Sequence, residues 1–113
     1  MRGYSGKSVV ITGAAGGMGR AFAQRFARAG ARLALLDLDA AAIEAQAAEL
    51  KAEGQAATGL ACDVSDQESC RAAMQEAVSF LGGVDVLINN AGITHRSAFA
   101  QTEAGVFQRG LGG

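Results

Sequence analysis

The sequence predicts an α/β fold in which one parallel sheet lies between two layers of helices. Four short apolar segments alternate with segments in which apolar residues recur with helical periodicity. The second apolar segment is apolar on both faces, as expected for a strand covered by helices on each side. Because right-handed helical crossovers join parallel strands, this alternation places helices on both faces of the sheet. Half of the 113 residues are hydrophobic, which suits one folded domain.

Four strands are expected, one at each of the short apolar segments. Each segment is brief and ends in a polar residue. The segments are KSVVIT, ARLALLD, AATGLACD and VDVLINN, at residues 7–12, 31–37, 56–63 and 84–90.

The first helix is predicted over residues 17–29. Met18, Phe22 and Phe26 recur every four residues and therefore share one face of that helix. Gly30 follows at a position where glycine commonly ends a helix.

The second helix is predicted between Asp39 and Gly54. Asp39 can cap its first turn with its carboxylate, and Gly54 can end it. Ile43, Ala47 and Leu50 form the stripe that is expected to face the core.

The third helix is predicted to begin at SDQE, residues 65–68, and to run to about residue 81. The sequence has the form of a capping box, in which the Ser65 hydroxyl accepts from the Glu68 amide and the Glu68 side chain reaches back. The side chains of the third helix that are expected to point inward are Cys70, Met74 and Ala77. A short fourth helix is expected over residues 102–109.

Composition and charge argue against several classes of partner. The formal net charge is −1 and the ten basic residues are scattered, whereas nucleic-acid binding favours a basic patch. No apolar run approaches the roughly 18 residues of a membrane span. The N-terminus lacks the apolar stretch and cleavage site of a signal peptide. We therefore expect a cytoplasmic protein that binds neither nucleic acid nor membrane.

The cysteines and the single histidine do not predict a metal site. Cys62 and Cys70 match neither a metal-ligand spacing nor a redox CxxC motif, so both are expected to be small buried hydrophobic residues. His95 lies in a polar loop without an identifiable partner and is expected to be a surface residue.

The glycine-rich segment TGAAGGMG, residues 12–19, joins the first strand to the first helix. The N-terminus of a helix has free N–H groups and a partial positive charge, so a diphosphate can bind there when no side chain intervenes. Gly13 would allow the tight exit from the strand, Gly17 the approach of the diphosphate, and Gly19 close packing of the helix. The segment has no lysine, which argues against a nucleoside triphosphatase.

Three further stretches lie where the other strands are expected to end. Asp37 ends the second strand, CDV at residues 62–64 ends the third, and NNAG at residues 89–92 ends the fourth. Open α/β sheets bind their ligands at the carboxyl ends of the strands. An acid at Asp37 can accept hydrogen bonds from an adenosine ribose and repel a 2′-phosphate, which predicts NAD rather than NADP.

Together with the T-G-x-x-x-G-x-G spacing of residues 12–19, these stretches resemble the classical short-chain dehydrogenase/reductase family from about residue 7 to about residue 107. The resemblance implies a Rossmann-type three-layer α/β/α fold and hydride transfer between a nicotinamide cofactor and a carbonyl or alcohol substrate. It also implies that Asp63 lies beside the adenine and that NNAG braces the sheet and lines the cofactor cleft. The residues expected to bind the cofactor are Gly13, Gly17, Met18, Gly19, Asp37, Leu38, Asp63, Val64, Asn90, Ala91 and Gly92.

Each of these residues also has a purely structural interpretation, and the sequence leaves it open. The glycines can form a structural turn, and Asp37 can be a solvated loop acid. Asp63 can cap the following helix, alone or in addition to a binding role. Asn89 and Asn90 can form a hydrogen-bonding cluster at the strand end.

The resemblance is incomplete at the catalytic residues. It implies a serine, a tyrosine, and a lysine four positions after the tyrosine, which lowers the pKa of the phenol. The only tyrosine is Tyr4, no lysine follows Lys51, and YxxxK is absent, so no residue of these 113 is expected to be catalytic.

The sequence therefore predicts an incomplete single domain, truncated after about four strands in the order 3-2-1-4. Its fourth strand would have an uncovered apolar edge, open to pairing with another chain or to homo-oligomer formation. We expect a fragment or truncated gene product that binds the ADP portion of NAD weakly and is inactive, with a substrate only if the chain is completed. The alternative is a non-catalytic nucleotide-binding or dimerising interaction module.

Overall fold

A single sheet in the order β3-β2-β1-β4-β5 organises the protein. The structure is a computed structural model and describes residues 3–90 and 106–108. Strands β1 to β4 are parallel, in the predicted order 3-2-1-4. The elements are β1 (Ser8–Thr12), α1 (Gly17–Arg28), β2 (Arg32–Asp37), α2 (Ala40–Ala52), β3 (Ala57–Ala61), α3 (Gln67–Leu81), β4 (Val86–Asn89) and β5 (Val106–Gln108).

Two apolar cores, one on each face of the sheet, produce the three layers. Alternate residues of β1 serve opposite faces, so that Val9 and Ile11 pack with α1 and α2 while Val10 packs with α3. All five residues of β1 are buried, as expected for the central strand of a sheet covered on both sides. The predicted α/β/α architecture is confirmed.

The outer edge of β4 differs from the prediction. Strand β5 pairs with it in the antiparallel sense, with Val86 opposite Gln108 and Ile88 opposite Val106. The expectation of an uncovered β4 edge is therefore wrong for these residues. An apolar edge strand has unpaired backbone N–H and C=O groups, which favour pairing with a further strand, and residues 106–108 form that strand.

The helix predicted over residues 102–109 is also wrong where the structure describes that segment. Residues Val106–Gln108 form β5 instead. Val106 and Phe107 belong to residue types that favour strands, and Gly105 before them is a poor helix residue. The remaining residues of the predicted helix lie outside the described residues.

The helix caps agree with prediction at α2 and differ at α3. The Asp39 carboxylate accepts from the Ala42 amide at 3.1 Å, which confirms the predicted cap. At α3 the cap is Asp66, whose carboxylate accepts from the amides of Glu68 and Ser69. The Ser65 capping box is therefore wrong. The Asp66 carboxylate, one residue later, accepts from the free amides of the first turn, and Ser65 makes other hydrogen bonds.

The buried face of α1 is made mainly of small residues, which the four-residue repeat of large side chains did not reveal. Met18 is 55% exposed, whereas Gly19, Ala23 and Ala27 are buried beside Phe26. Small residues let the helix lie close to the sheet, so the large Met18 side chain at the first turn remains exposed. In α2, the predicted stripe is buried as expected.

Helix α2 lies directly against β3 at Gly59. A Cβ added there would lie 2.5 Å from the Ile43 carbonyl oxygen and 3.3 Å from the Ala47 Cβ. The first of these contacts is to backbone, which cannot move aside as a flexible side chain can. The packing of α2 on the sheet therefore requires a glycine at this strand position.

We expect Gly59→Ala to lower the free energy of unfolding by about 1 to 3 kcal/mol, because the added methyl forces α2 away from β3. Urea denaturation of the two proteins measures the difference. Gly17→Ala is the matched control, since a Cβ there meets nothing within 4 Å. Equal stability of the Gly59→Ala and unmodified proteins would contradict the packing described for α2.

Candidate nucleotide-binding site

The predicted site residues that the structure describes lie at one end of the sheet. The register pairs Thr12 with Leu36 and with Asn89, and Asp37 with Ala61, so β1 to β4 end side by side. The segments that follow these strands converge at this edge, which is where open α/β sheets bind ligands.

A tight turn at Gly13 leads from β1 to α1. Gly13 has a φ of +63°, in the left-handed region that favours glycine. Its carbonyl accepts from the Gly16 amide at 3.3 Å and from Asn90 Nδ2 at 3.1 Å. A Cβ added at Gly19 would lie 2.1 Å from that same carbonyl oxygen. The first turn of α1 can therefore pack against the preceding loop only because residue 19 is glycine.

The N-terminus of α1 is open. The N-cap is Gly16, which has no side chain to cap the helix, and the first turn contains no acidic residue. Gly17 is exposed, and a Cβ added to it would meet nothing within 4 Å. The first-turn N–H groups and the positive end of the helix dipole are thus directed to an accessible surface, as a phosphate group requires.

Asp37 connects the end of β2 to the glycine-rich loop. Its Oδ2 accepts from the Ala15 amide at 2.9 Å, and its Oδ1 accepts from the Asp39 amide at 3.0 Å. Each carboxylate oxygen has two lone pairs, so both retain capacity for a further donor such as a ribose hydroxyl. The next residue, Leu38, is 71% exposed. Asp37 is therefore more than a solvated loop acid, because it holds the loop in place.

Asp63 organises the turn between β3 and α3. Its Oδ1 accepts from the Ser65 amide at 3.0 Å and from the Ser65 hydroxyl at 2.6 Å, and its own amide donates to Ser69 Oγ at 3.0 Å. Asp66 caps α3, so Asp63 holds the turn that leads into the helix. Val64 packs partly buried against the core on the α3 face.

The two asparagines at the end of β4 have opposite hydrogen-bonding roles. Asn89 Oδ1 accepts from the Thr12 hydroxyl at 3.0 Å, which links β4 to β1. Asn90 donates to the Gly13 carbonyl and is 7% exposed. The cluster is thus present and extends into the glycine-rich loop. Ala91 and Gly92, two further predicted site residues, and His95 lie outside the described residues.

Cys62 and Cys70 lie together beside this site, a proximity that their spacing in the sequence did not indicate. Cys62 is buried and Cys70 is half-buried, and their Sγ atoms are 3.8 Å apart. Burial, followed by the neighbouring Cys70 thiol, raises the pKa of Cys62 to about 12. A strand end and a helix face bring the pair together, so only the fold reveals it.

Two further properties of the described residues bear on function. Among residues 3–90 and 106–108, no group of three or more His, Cys, Asp or Glu side chains could hold a metal ion. No helix within this part of the chain is long and apolar enough to cross a bilayer.

The parallel sheet in the order 3-2-1-4 and the glycine-rich turn that opens α1 define a Rossmann-type domain. The chain matches the family model described as short chain dehydrogenase over residues 7–111. The chain therefore belongs to the short chain dehydrogenase family.

Individual relatives agree with this assignment. An uncharacterized short-chain type dehydrogenase/reductase from Sinorhizobium fredii is 50% identical over 92 residues, which is 79% of this chain and 36% of that protein. A short chain dehydrogenase/reductase from Burkholderia phymatum, solved in complex with NAD, is 38% identical with a TM-score of 0.72, over 77% of this chain and 31% of that one.

A third relative was solved with the phosphorylated cofactor. It is a blue fluorescent protein from a metagenomic library in complex with NADPH, 36% identical with a TM-score of 0.71 over 76% of this chain and 36% of that one. The chain thus spans about a third of the length of each of these three relatives.

The opposite roles of the two asparagines predict different effects of the same substitution. We expect Asn90→Asp to lower the free energy of unfolding at pH 7 by about 1 to 3 kcal/mol, because it removes a buried donor and places a carboxylate beside the Gly13 carbonyl. Asn89→Asp should change stability little, because it keeps the oxygen that accepts from Thr12. Urea denaturation of both variants measures the contrast.

The loss in Asn90→Asp should depend on pH. Burial beside a carbonyl disfavours the ionised form and raises the pKa of the introduced carboxyl above its unfolded value of about 3.9. The deficit should therefore be fully present above the raised pKa and shrink as the pH falls, when the protonated acid can donate to Gly13. A deficit that stays constant from pH 7 to pH 4 would contradict the donor role of Asn90.

Proposed function

We propose that this domain binds NAD as the cofactor-binding part of a short-chain dehydrogenase/reductase. The observation that carries the proposal is the uncapped N-terminus of α1, which opens to the surface beside the carboxylate of Asp37 at the end of the adjacent strand. A dinucleotide needs these two features together, namely amide donors for its diphosphate and an acceptor for its ribose.

The diphosphate would bind at the first turn of α1. Gly13, Gly17, Met18 and Gly19 supply bare backbone or amide groups at this position, and the structure leaves the space beside Gly17 unfilled. No side chain in the first turn carries a negative charge that would oppose a phosphate.

The adenosine would extend from the glycine-rich loop toward the ends of β2 and β3. Asp37 would accept from the ribose hydroxyls, and Leu38, which is exposed, would contact the adenosine. Asp63 and Val64 would lie beside the adenine. A carboxylate at Asp37 repels a 2′-phosphate, which supports NAD over NADP.

The nicotinamide half of the cofactor would lie beside the end of β4. Asn90 holds the loop from this side, and with Ala91 and Gly92 it would line the cleft. When bound, the cofactor supplies the hydride for reduction of a carbonyl or accepts it from an alcohol. Tyr4 is the only tyrosine of these 113 residues and precedes β1, so we propose cofactor binding for them and no catalytic step.

The diphosphate position predicts a loss of binding at Gly17. We expect Gly17→Ala to weaken NADH binding by about tenfold or more, equivalent to about 1.4 kcal/mol, because its methyl occupies the space proposed for the phosphate. Stability should not fall, since that methyl contacts no protein atom within 4 Å and alanine is the better helix former. Calorimetric titration measures the affinity. Gly54→Ala, after the C-terminus of α2 and outside the proposed site, is the control: its φ of +88° should make the alanine cost stability, but NADH affinity should stay unchanged.

The role of Asp37 predicts cofactor preference. We expect NADH to bind about tenfold or more tightly than NADPH, and Asp37→Ala to narrow this difference. Asp37→Asn is the more informative variant, because its amide oxygen can still accept from Ala15 while the charge is lost. Fluorescence titration of both cofactors measures the ratio. Equal affinities in the unmodified protein would refute the proposed selectivity.

A further inference from the structure

We propose that Cys62 and Cys70 form a dithiol that oxidises to an intramolecular disulfide, and that this oxidation changes the adenosine end of the cofactor site. The Sγ atoms are already 3.8 Å apart. Cys62 directly follows β3, and Cys70 lies near the start of α3. A disulfide has an S–S distance of about 2.05 Å, so the sulfurs need to approach by about 1.8 Å.

The required movement should fall on the Cys70 side. The backbone of Cys62 is fixed, because its amide donates to the Asp37 carbonyl at 2.9 Å and its side chain is buried. Cys70 is half-buried, and its thiol contacts the Asp63 carbonyl at 3.6 Å. Closing the disulfide therefore draws the first turn of α3 toward the end of β3.

This movement would reach Asp63 through two contacts. The Asp63 amide donates to the hydroxyl of Ser69, the residue before Cys70, and the Asp63 carbonyl is itself in contact with the Cys70 thiol. Oxidation would break the contact between the Cys70 thiol and the Asp63 carbonyl, and it would displace Ser69 from the Asp63 amide. This consequence for the cofactor rests on the proposed function, whereas formation of the disulfide does not.

A low-molecular-weight disulfide such as oxidised glutathione can supply the oxidation. The Cys70 thiol, which is the more accessible, loses its proton and attacks one sulfur of glutathione disulfide, which releases one glutathione thiolate. The Cys62 thiol then loses its proton, and its sulfur attacks Cys70 in the mixed disulfide and releases the second thiolate. Two thiols are oxidised, one disulfide is reduced, and the two protons pass to the released glutathione.

The second step should limit the rate. Burial, the largest cause of the raised pKa of Cys62, persists in the mixed disulfide, so little Cys62 thiolate exists at neutral pH. Each unit of pH below the pKa of Cys62 costs about a factor of ten in its thiolate. Ring closure from the mixed disulfide should therefore accelerate as the pH is raised from 7 to 9.

Peptide mapping tests the disulfide directly. Both cysteines lie between Lys51 and Arg71, so trypsin releases them in one peptide, residues 52–71. After treatment with oxidised glutathione and alkylation of free thiols, we expect this peptide without alkyl groups and lighter by two hydrogens. Two alkylated cysteines, a glutathione adduct that never closes, or a peptide joined to a second copy would each overturn the proposal.

Matched variants separate the disulfide from other oxidation. Cys70→Ser keeps a small polar group at the half-buried position, and the remaining Cys62 should then resist glutathione because it is buried. Ser69→Ala should still form the disulfide, since it alters only the contact to Asp63. Failure of Ser69→Ala to close would show that the approach of the two sulfurs depends on that contact and would overturn the geometry proposed here.

Titration with NADH tests the coupling to the site. We expect the oxidised protein to bind NADH at least about fivefold more weakly than the reduced protein. Because linkage between the two equilibria is reciprocal, bound NADH should shift the thiol–disulfide equilibrium toward the dithiol by the same factor. Cys70→Ser should bind NADH equally before and after oxidant. Equal affinity of the two redox forms overturns the coupling. Absence of NADH binding in the reduced protein would instead count against the proposed function and leave the mapping result standing.

Discussion

The close approach of α1 to the turn before it is the constraint on which the site depends. The lack of a side chain at Gly19 allows the helix to begin directly against the Gly13 carbonyl. The two strands that flank β1 then secure the same loop from opposite sides, through Asp37 at the end of β2 and Asn90 after β4. Hydrogen bonds across three strands therefore fix the loop that precedes α1, and the amides of the first turn remain free.

Most of the fold could be predicted from the sequence, because buried strands and amphipathic helices carry strong local patterns. The four parallel strands, the three main helices and the Asp39 cap agree with prediction. Errors arose where two local interpretations competed. Ser65 and Asp66 are both good capping residues, and only the conformation of the preceding turn decides between them. Residues 106–108 adopt the strand because pairing with β4 outweighs a weak helical pattern.

The candidate site was less predictable, because its geometry depends on contacts between residues distant in the sequence. Glycine spacing and strand ends indicated which segments converge. They could not indicate that Asp37 accepts from Ala15, 22 positions earlier, or that Asn89 accepts while Asn90 donates. The proximity of the two thiols was missed for the same reason, since it depends on how the start of α3 lies against the end of β3.

The hydrogen bond from Ala15 to Asp37 also limits how the cofactor preference of such a domain can change. A substitution at residue 37 that removes the side-chain oxygens alters the charge presented to the ribose and the anchor of the glycine-rich loop at the same time. A small neutral residue would admit a 2′-phosphate but leave the Ala15 amide without its acceptor and the loop less ordered. A change of preference that preserves affinity therefore requires either a residue that keeps an acceptor for Ala15, as Asp37→Asn does, or a second substitution that restores one.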